Sequence, residues 1–77
     1  MYYVYAIKSS TRNYIYVGMT NDIERRVLEH NKGENKPTKA YKPFILIHEE
    51  YFLTRIEARK REKYLKSGCG KEFLKSL

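Results

Sequence analysis

Aromatic and aliphatic positions alternate with smaller or polar ones through the first part of the chain. Residues 2–8, YYVYAIK, and 13–19, NYIYVGM, are rich in aromatic and β-branched side chains. Both read as strands. The polar run SSTR lies between them, so the pair reads as a β-hairpin. With Lys8 opposite Asn13, Tyr5 faces Tyr16, Ile7 faces Tyr14 and Tyr3 faces Gly18. Cross-strand neighbours share a face. That register gathers Tyr3, Tyr5, Tyr14 and Tyr16 on one side, and Val4, Ala6, Ile15 and Val17 on the other, facing a core.

The period then becomes helical. A first helix starts at TNDIE, with Asn21 as cap and Glu24 as its reciprocal partner. Asp22 and Glu24 suit the positive end of the helix dipole. The helix runs to about Asn31 and Gly33 ends it. Residues 32–42 form a polar, lysine-rich loop, and Pro43 opens a third strand, FILIHEEY. A capping box from Thr54 to Glu57 begins a second long helix, which continues to about Ser67 and stops at Gly68. GKEFLKSL gives one more short helix, with Phe73, Leu74 and Leu77 available to dock. There is no internal repeat or interdomain linker, and 77 residues make one domain, 1–77.

Helical geometry decides which polar groups can meet. At about 100° per residue, Ile23 and Val27 lie about 40° apart and define the inner stripe of the first helix. His30 falls about 20° from Ile23, and Arg26 about 60° away, at the stripe's edge. Arg25 and Glu29 point to solvent as an ordinary i,i+4 pair. On the second long helix, Ala58 and Leu65 form the apolar edge and Glu62 lies about 40° from Ala58. Tyrosine hydroxyls, an arginine, a histidine and a glutamate therefore converge on a shallow site. Each also has an ordinary explanation: half-buried packing for the tyrosines, a satisfied core position for His30, surface charge for Arg26, and an i,i+4 pair with Lys66 for Glu62.

Charge narrows the partner. Sixteen Lys and Arg against nine acids give a net charge of +7, which favours a polyanion, either nucleic acid or an acidic membrane surface. The single cysteine, Cys69, excludes an internal disulfide. It lies between two glycines with no base beside it, so it reads as an inert thiol. The start of the chain has no signal-peptide pattern. No run approaches the ~20 apolar residues that span a bilayer. A reducing cytoplasm is the expected location, and no membrane partner is expected, because the second long helix lacks a wide apolar face. His48 with Glu49 and Glu50 reads as a solvated strand end rather than a metal site.

Tyr3-Val4-Tyr5, then Tyr16-Val17-Gly18, then Thr20, Arg26 and His30, resemble the GIY-YIG endonuclease superfamily. The downstream AYKPFILIHEEYF and EARKREKYLKSG resemble its small standalone bacterial members, which are related to the nuclease domain of the excision-repair incision subunit. The resemblance covers nearly the whole chain. It implies an α/β fold: a small twisted three-stranded sheet, antiparallel or mixed, flanked by helices. It implies a metal-dependent DNA endonuclease, with Tyr5 as general base assisted by Tyr16 or His30. Arg26 would donate to the phosphate, and Glu62 would hold one divalent cation, Mg²⁺ or Mn²⁺. Gly18 would leave room for a phosphate. Arg59, Lys63 and Lys66, with Arg55, Lys60, Arg61 and the Lys36/Lys39/Lys42 loop, would follow the backbone without reading sequence. The first triplet opens with Tyr3 where the family pattern has Gly. No Asn follows Asn35, whereas many relatives carry one near the C-terminal end. Target choice is expected to come from a protein partner. The rival reading is a nucleic-acid-binding module with little or no catalysis, whose aromatics stack on single strands. The nuclease reading requires both phenols to face one solvent-open groove shared with Arg26, His30 and Glu62.

Overall fold

A computed structural model describes residues 1–77. The elements are β1 (Tyr2–Ser9), β2 (Ile15–Thr20), α1 (Ile23–Lys32), α2 (Lys36–Lys39), β3 (Phe44–Phe52), α3 (Arg55–Lys66) and α4 (Gly68–Lys75). β1 is the central strand and pairs antiparallel with both neighbours, in the order β2-β1-β3. The fold is thus α/β, with an antiparallel three-stranded sheet and flanking helices.

The hairpin register differs from the sequence expectation by two residues. Tyr5 pairs with Gly18, Ile7 with Tyr16 and Tyr3 with Thr20. The turn is wider because the Ser9 hydroxyl accepts from the backbone N–H groups of Thr11 and Arg12, at 3.2 and 3.1 Å. A slip of two keeps every side chain on its face, whereas a slip of one would reverse them all. Val4, Ala6, Ile15 and Val17 accordingly form one core with Ala58 and Leu65 of α3 and Leu74 of α4. Tyr5, Ile7 and Phe44 form a second core on the opposite face, lined by Tyr14, Tyr16, Tyr41 and by Ile23 and Val27 of α1. Both faces of the sheet are covered, α1 on one and α3 with α4 on the other.

Local chemistry sets the element ends. Asp22, not Asn21, caps α1: its carboxylate accepts from the Arg25 N–H. Asn21 instead accepts from the Arg25 side chain at 3.1 Å. The Thr20 hydroxyl, bonded to the Asp22 backbone N–H at 3.1 Å, decides between the two caps by turning the chain at that residue. Gly33 ends α1 in the left-handed region at φ 80°. Residues 32–42, expected to be loop throughout, contain the short α2. The Asn31 amide clamps Phe44, accepting from its N–H at 2.6 Å and donating to its C=O at 3.2 Å, which ties edge strand β3 to α1. Thr54 caps α3 as expected, bonding the backbone and side chain of Glu57.

Ser67 ends α3 and caps α4, which therefore opens at Gly68 rather than Gly70. Of the residues expected to dock from α4, only Leu74 is buried; Phe73 is partly exposed against His48, and Leu77 is exposed. Phe73 and Leu74 are about 100° apart on α4, so only one can face α3, and Leu77 lies beyond the helix end. No helix is long and apolar enough to cross a membrane.

The α3–α4 corner rests on Gly70. A Cβ there would stand 2.2 Å from the Tyr64 carbonyl oxygen and 2.4 Å from Leu65 Cα, whereas one at Gly68 meets nothing within 4 Å. Gly70→Ala should cost at least about 2 kcal/mol, because rigid backbone has to move. Gly68→Ala should be neutral or stabilise by up to about 1 kcal/mol. Urea unfolding of both variants checks this, and equal midpoints would contradict the packing described.

Candidate active site

Tyr5 projects from the middle of β1 and is 1% exposed. Its phenol lies directly over Gly18. A Cβ at Gly18 would come within 2.6 Å of the Tyr5 Oη and 2.8 Å of its Cζ. The space above Gly18 therefore holds Tyr5 itself, and the expectation that it admits a phosphate is corrected. The Tyr5 hydroxyl meets His30 Nε2 at 2.9 Å. His30, on the inner stripe of α1, is fully buried. Its other nitrogen, Nδ1, lies 2.8 Å from the Thr38 hydroxyl, which in turn donates to the Asn35 carbonyl at 3.3 Å. The Tyr16 ring lies tilted against the imidazole, with centroids 4.9 Å apart.

Burial governs the protonation of this pair. It pushes the Tyr5 phenol up to about 12; the neighbouring Tyr16 and Glu62 act in the same direction and Arg26 opposes them. Burial also pushes the His30 imidazole down to about 4, aided by Arg26 and opposed by Glu29. At neutral pH the phenol and the imidazole are both uncharged.

Arg26 sits at the margin of the cluster and is bound by Glu29 at 2.8 Å. That hydrogen bond holds its guanidinium above the usual arginine value. Glu29 is shared, since Arg25 also approaches it at 3.6 Å, so the expected Arg25–Glu29 surface pair is only part of the arrangement. Glu62 comes from α3, on the opposite face of the sheet, and its side chain is 12% exposed. Its oxygens lie 3.2 Å from Lys66 and 3.8 Å from Arg59. Tyr5, Tyr16 and His30 are thus in contact, Arg26 flanks them, and Glu62 acts on Tyr5 through its charge.

The groups do not share a solvent-open groove. Tyr5 and His30 form a buried inner layer, leaving Tyr16, Arg26 and Glu62 with the remaining exposure. The Tyr5 phenol is turned into the second core because the pairing with Gly18 opens a slot there. A concavity of about 430 Å³ lies elsewhere, lined by Asp22, Glu24 and Glu49 among others, and its acids repel a polyanion. A basic one of about 310 Å³ runs along α3, between Arg55, Arg59, Lys60 and Lys63. Arg61 is not part of that basic surface: it points to β3 and binds Glu50 at 2.9 Å. Glu50 also bonds His48 at 2.7 Å, so His48 and Glu50 join a partly buried network rather than a solvated strand end.

Of the expected site residues, Glu62 alone carries a carboxylate. No group of three or more metal-ligating side chains exists, but Mg²⁺ commonly takes one or two carboxylates and completes its shell with water and substrate phosphate. Glu62 is a carboxylate that already draws two cationic side chains. Sequence reasoning missed Thr38 and Asn31, both hidden by their polar surroundings. Asn35 and Pro37 form a helix-start pattern that marks α2 within the lysine-rich loop, but it does not mark the burial of Thr38.

Two outcomes follow. Gly18→Ala should displace the Tyr5 ring, lowering stability by about 1–3 kcal/mol, as denaturant melts would show. The folded chain also binds a proton at His30 less tightly than the unfolded chain does. His30 therefore contributes its full stability above the ordinary value of 6.5 and loses it as pH falls toward about 4. Unfolding free energy should drop by about 2 kcal/mol between about pH 7.5 and about pH 5. In His30→Gln most of that slope should vanish; parallel slopes in urea titrations would contradict the assignment.

Residues 1–73 match the GIY-YIG catalytic domain. The chain is 37% identical over 77 residues to a UPF0213 protein of Staphylococcus saprophyticus, covering 99% of this chain and 93% of that one. It is 43% identical to a UPF0213 protein of Halobacterium salinarum, covering 96% and 99%. Among solved structures, the solution NMR structure of a UPF0213 protein from Bacillus halodurans superposes with a TM-score of 0.58 at 34% identity, covering 99% of this chain and 84% of the other. The fold, the tyrosine pair and the matched span agree: this chain belongs to the GIY-YIG catalytic domain family.

Proposed function

We propose that the protein is a metal-dependent endonuclease that hydrolyses DNA phosphodiester bonds. The buried Tyr5 and His30 do not meet the open-groove condition set out from the sequence. The reading therefore rests on family membership, which supports a nuclease-type function on a nucleic-acid substrate, and it requires the site to open on substrate binding. The roles below are our reading. The observation that carries it is the 2.9 Å contact between the Tyr5 hydroxyl and His30 Nε2, beside Arg26.

A phenol near 12 is a poor base by itself. Joined to a neutral imidazole, it works as a relay. Tyr5 takes a proton from the attacking water as its own proton passes to His30 Nε2. The water oxygen bonds to phosphorus, and the bond to the leaving alkoxide breaks. The proton received by His30, disfavoured there by burial, returns to solvent through Tyr5 after the step, and the leaving alkoxide takes up one proton from solvent, which completes the hydrolysis. Arg26 donates to the phosphoryl oxygens, where negative charge concentrates. To do so it would leave Glu29, and the reading requires this movement to open the Tyr5 hydroxyl to water. Glu62 would hold the divalent cation, Mg²⁺ or Mn²⁺, which when bound polarises the phosphate and stabilises the leaving oxygen. Arg59 and Lys63 would follow the phosphate backbone along α3, with Lys66 helping once Glu62 engages the cation. A protein partner would supply target choice.

The second reading is a binding module on the same fold. One observation favours it: Tyr5 is 1% exposed and its proton is held tightly.

Incubation with supercoiled plasmid, branched DNA and duplex RNA, in Mg²⁺, Mn²⁺ or chelator, separates the two. Wild type should cut DNA with metal and not with chelator. Arg26→Ala and Glu62→Gln should each lower the rate by about 10²–10³-fold. Their DNA affinity, read by fluorescence anisotropy in chelator, should stay within a few-fold of wild type. Binding throughout with cutting in none, wild type included, would establish the module instead.

A further inference from the structure

We propose that Thr38 is a positioning residue that fixes the tautomer of His30, keeping the proton on Nδ1 and leaving Nε2 as the acceptor for Tyr5. The catalytic meaning of this rests on the nuclease reading; the tautomer itself does not.

Counting protons leads to it. Three contacts run in series: Tyr5 Oη to His30 Nε2 at 2.9 Å, His30 Nδ1 to Thr38 Oγ1 at 2.8 Å, and Thr38 Oγ1 to the Asn35 carbonyl at 3.3 Å. A carbonyl only accepts, so the last contact uses the hydroxyl proton of Thr38. Thr38 Oγ1 must then accept from Nδ1–H. A neutral imidazole carries one N–H, so Nε2 is bare and the Tyr5 O–H points at it. The reverse order fails at its far end. If Thr38 donated to Nδ1, Nε2–H would donate to Tyr5 Oη, and the Tyr5 hydroxyl proton would lack an acceptor. Neither charged group near Tyr5 takes that proton: Arg26 is purely a donor, and Glu62, whose charge reaches Tyr5, is engaged with Lys66 and Arg59 and makes no hydrogen bond to the phenol. A buried O–H would be stranded, a state that folded proteins avoid.

The surroundings leave no other partner for either nitrogen. Tyr16 and Phe44 face the imidazole with their rings, at 4.9 and 5.9 Å between centroids. Thr38 is wholly buried within a segment otherwise rich in exposed lysines. Tyr41, three residues on, stacks on Tyr14 at 4.0 Å and pins that segment over the sheet. The loop thereby delivers one hydroxyl to one ring nitrogen. With the proton on the other nitrogen, His30 would donate to Tyr5 and the relay would have nowhere to send a proton.

The test is the imidazole nitrogen spectrum of protein labelled with ¹⁵N-histidine, recorded near neutral pH. His30 is assigned by its loss in His30→Gln. Wild type should show a protonated Nδ1 and a bare Nε2, and Thr38→Ser should keep that pattern. Thr38→Val should move the proton toward Nε2 and lower kcat for DNA cleavage roughly tenfold or more, with KM little changed. A protonated Nε2 in wild type overturns the proposal and needs no variant. An unchanged tautomer in Thr38→Val, or a changed one with unchanged kcat, overturns it too. If Thr38→Val fails to fold, Thr38→Ala takes its place. If wild type cuts no DNA, the nuclease reading falls, while the spectra still decide what Thr38 does.

Discussion

A hydrogen bond between two buried, neutral, titratable side chains organises this small protein. Tyr5 comes from the central strand and His30 from the first helix, and neither group retains appreciable contact with water. Such a pair is tolerable in a core only if each polar atom finds a partner and each ring finds space. Gly18 supplies the space by lacking a Cβ, and Thr38 takes up the second nitrogen of the imidazole. Strand β2, helix α1 and the loop around α2 are thus each held in place by what this one contact requires. Substitution at any of these positions would strain the fold as well as the chemistry.

Charge is sorted around that contact. The helix carrying His30 keeps Arg26 neutralised by Glu29 while no anion is near. The helix on the far face keeps Glu62 beside Lys66 and Arg59. Arg26 and Glu62, the two charged groups assigned a role at the reacting phosphate, are each paired within the protein, and each pair is one that a phosphate and its cation can replace. Pairs at i,i+3 and i,i+4 on one helix are worth a few tenths of a kcal/mol each, so exchanging them for substrate contacts costs the fold little. The basic concavity along α3 lies on the side of Glu62, and the acid-lined hollow near Tyr3 lies apart from it. An approaching polyanion is therefore guided to one side of the domain.

Much of the architecture was legible in the chain itself. Alternation in YYVYAIK and NYIYVGM separated the two faces of the hairpin correctly, although the register was two residues off, because face depends only on parity. Helical angles placed His30 inward and Arg26 at the margin because side-chain direction on a helix follows from the 3.6-residue period alone. What escaped was set by tertiary context. Nothing in the order of residues says that Ser9 widens a turn, that Tyr5 fills the slot over Gly18, or that one threonine in a lysine-rich loop is buried. Asn21 and Asp22 were equally good caps until Thr20 chose between them. The site was read as open because tyrosine commonly keeps its hydroxyl wet; here the hydroxyl is satisfied by histidine instead.

The central claim is that the Tyr5 hydroxyl, though hidden, is the atom through which the proton leaves the attacking water. Tyr5→Phe removes that one oxygen and keeps the ring in its slot. With metal and plasmid DNA, the variant should remain folded and bind DNA as wild type does, while its cleavage rate falls by about 10²–10⁴-fold. A folded Tyr5→Phe protein that cuts at the wild-type rate would contradict the account.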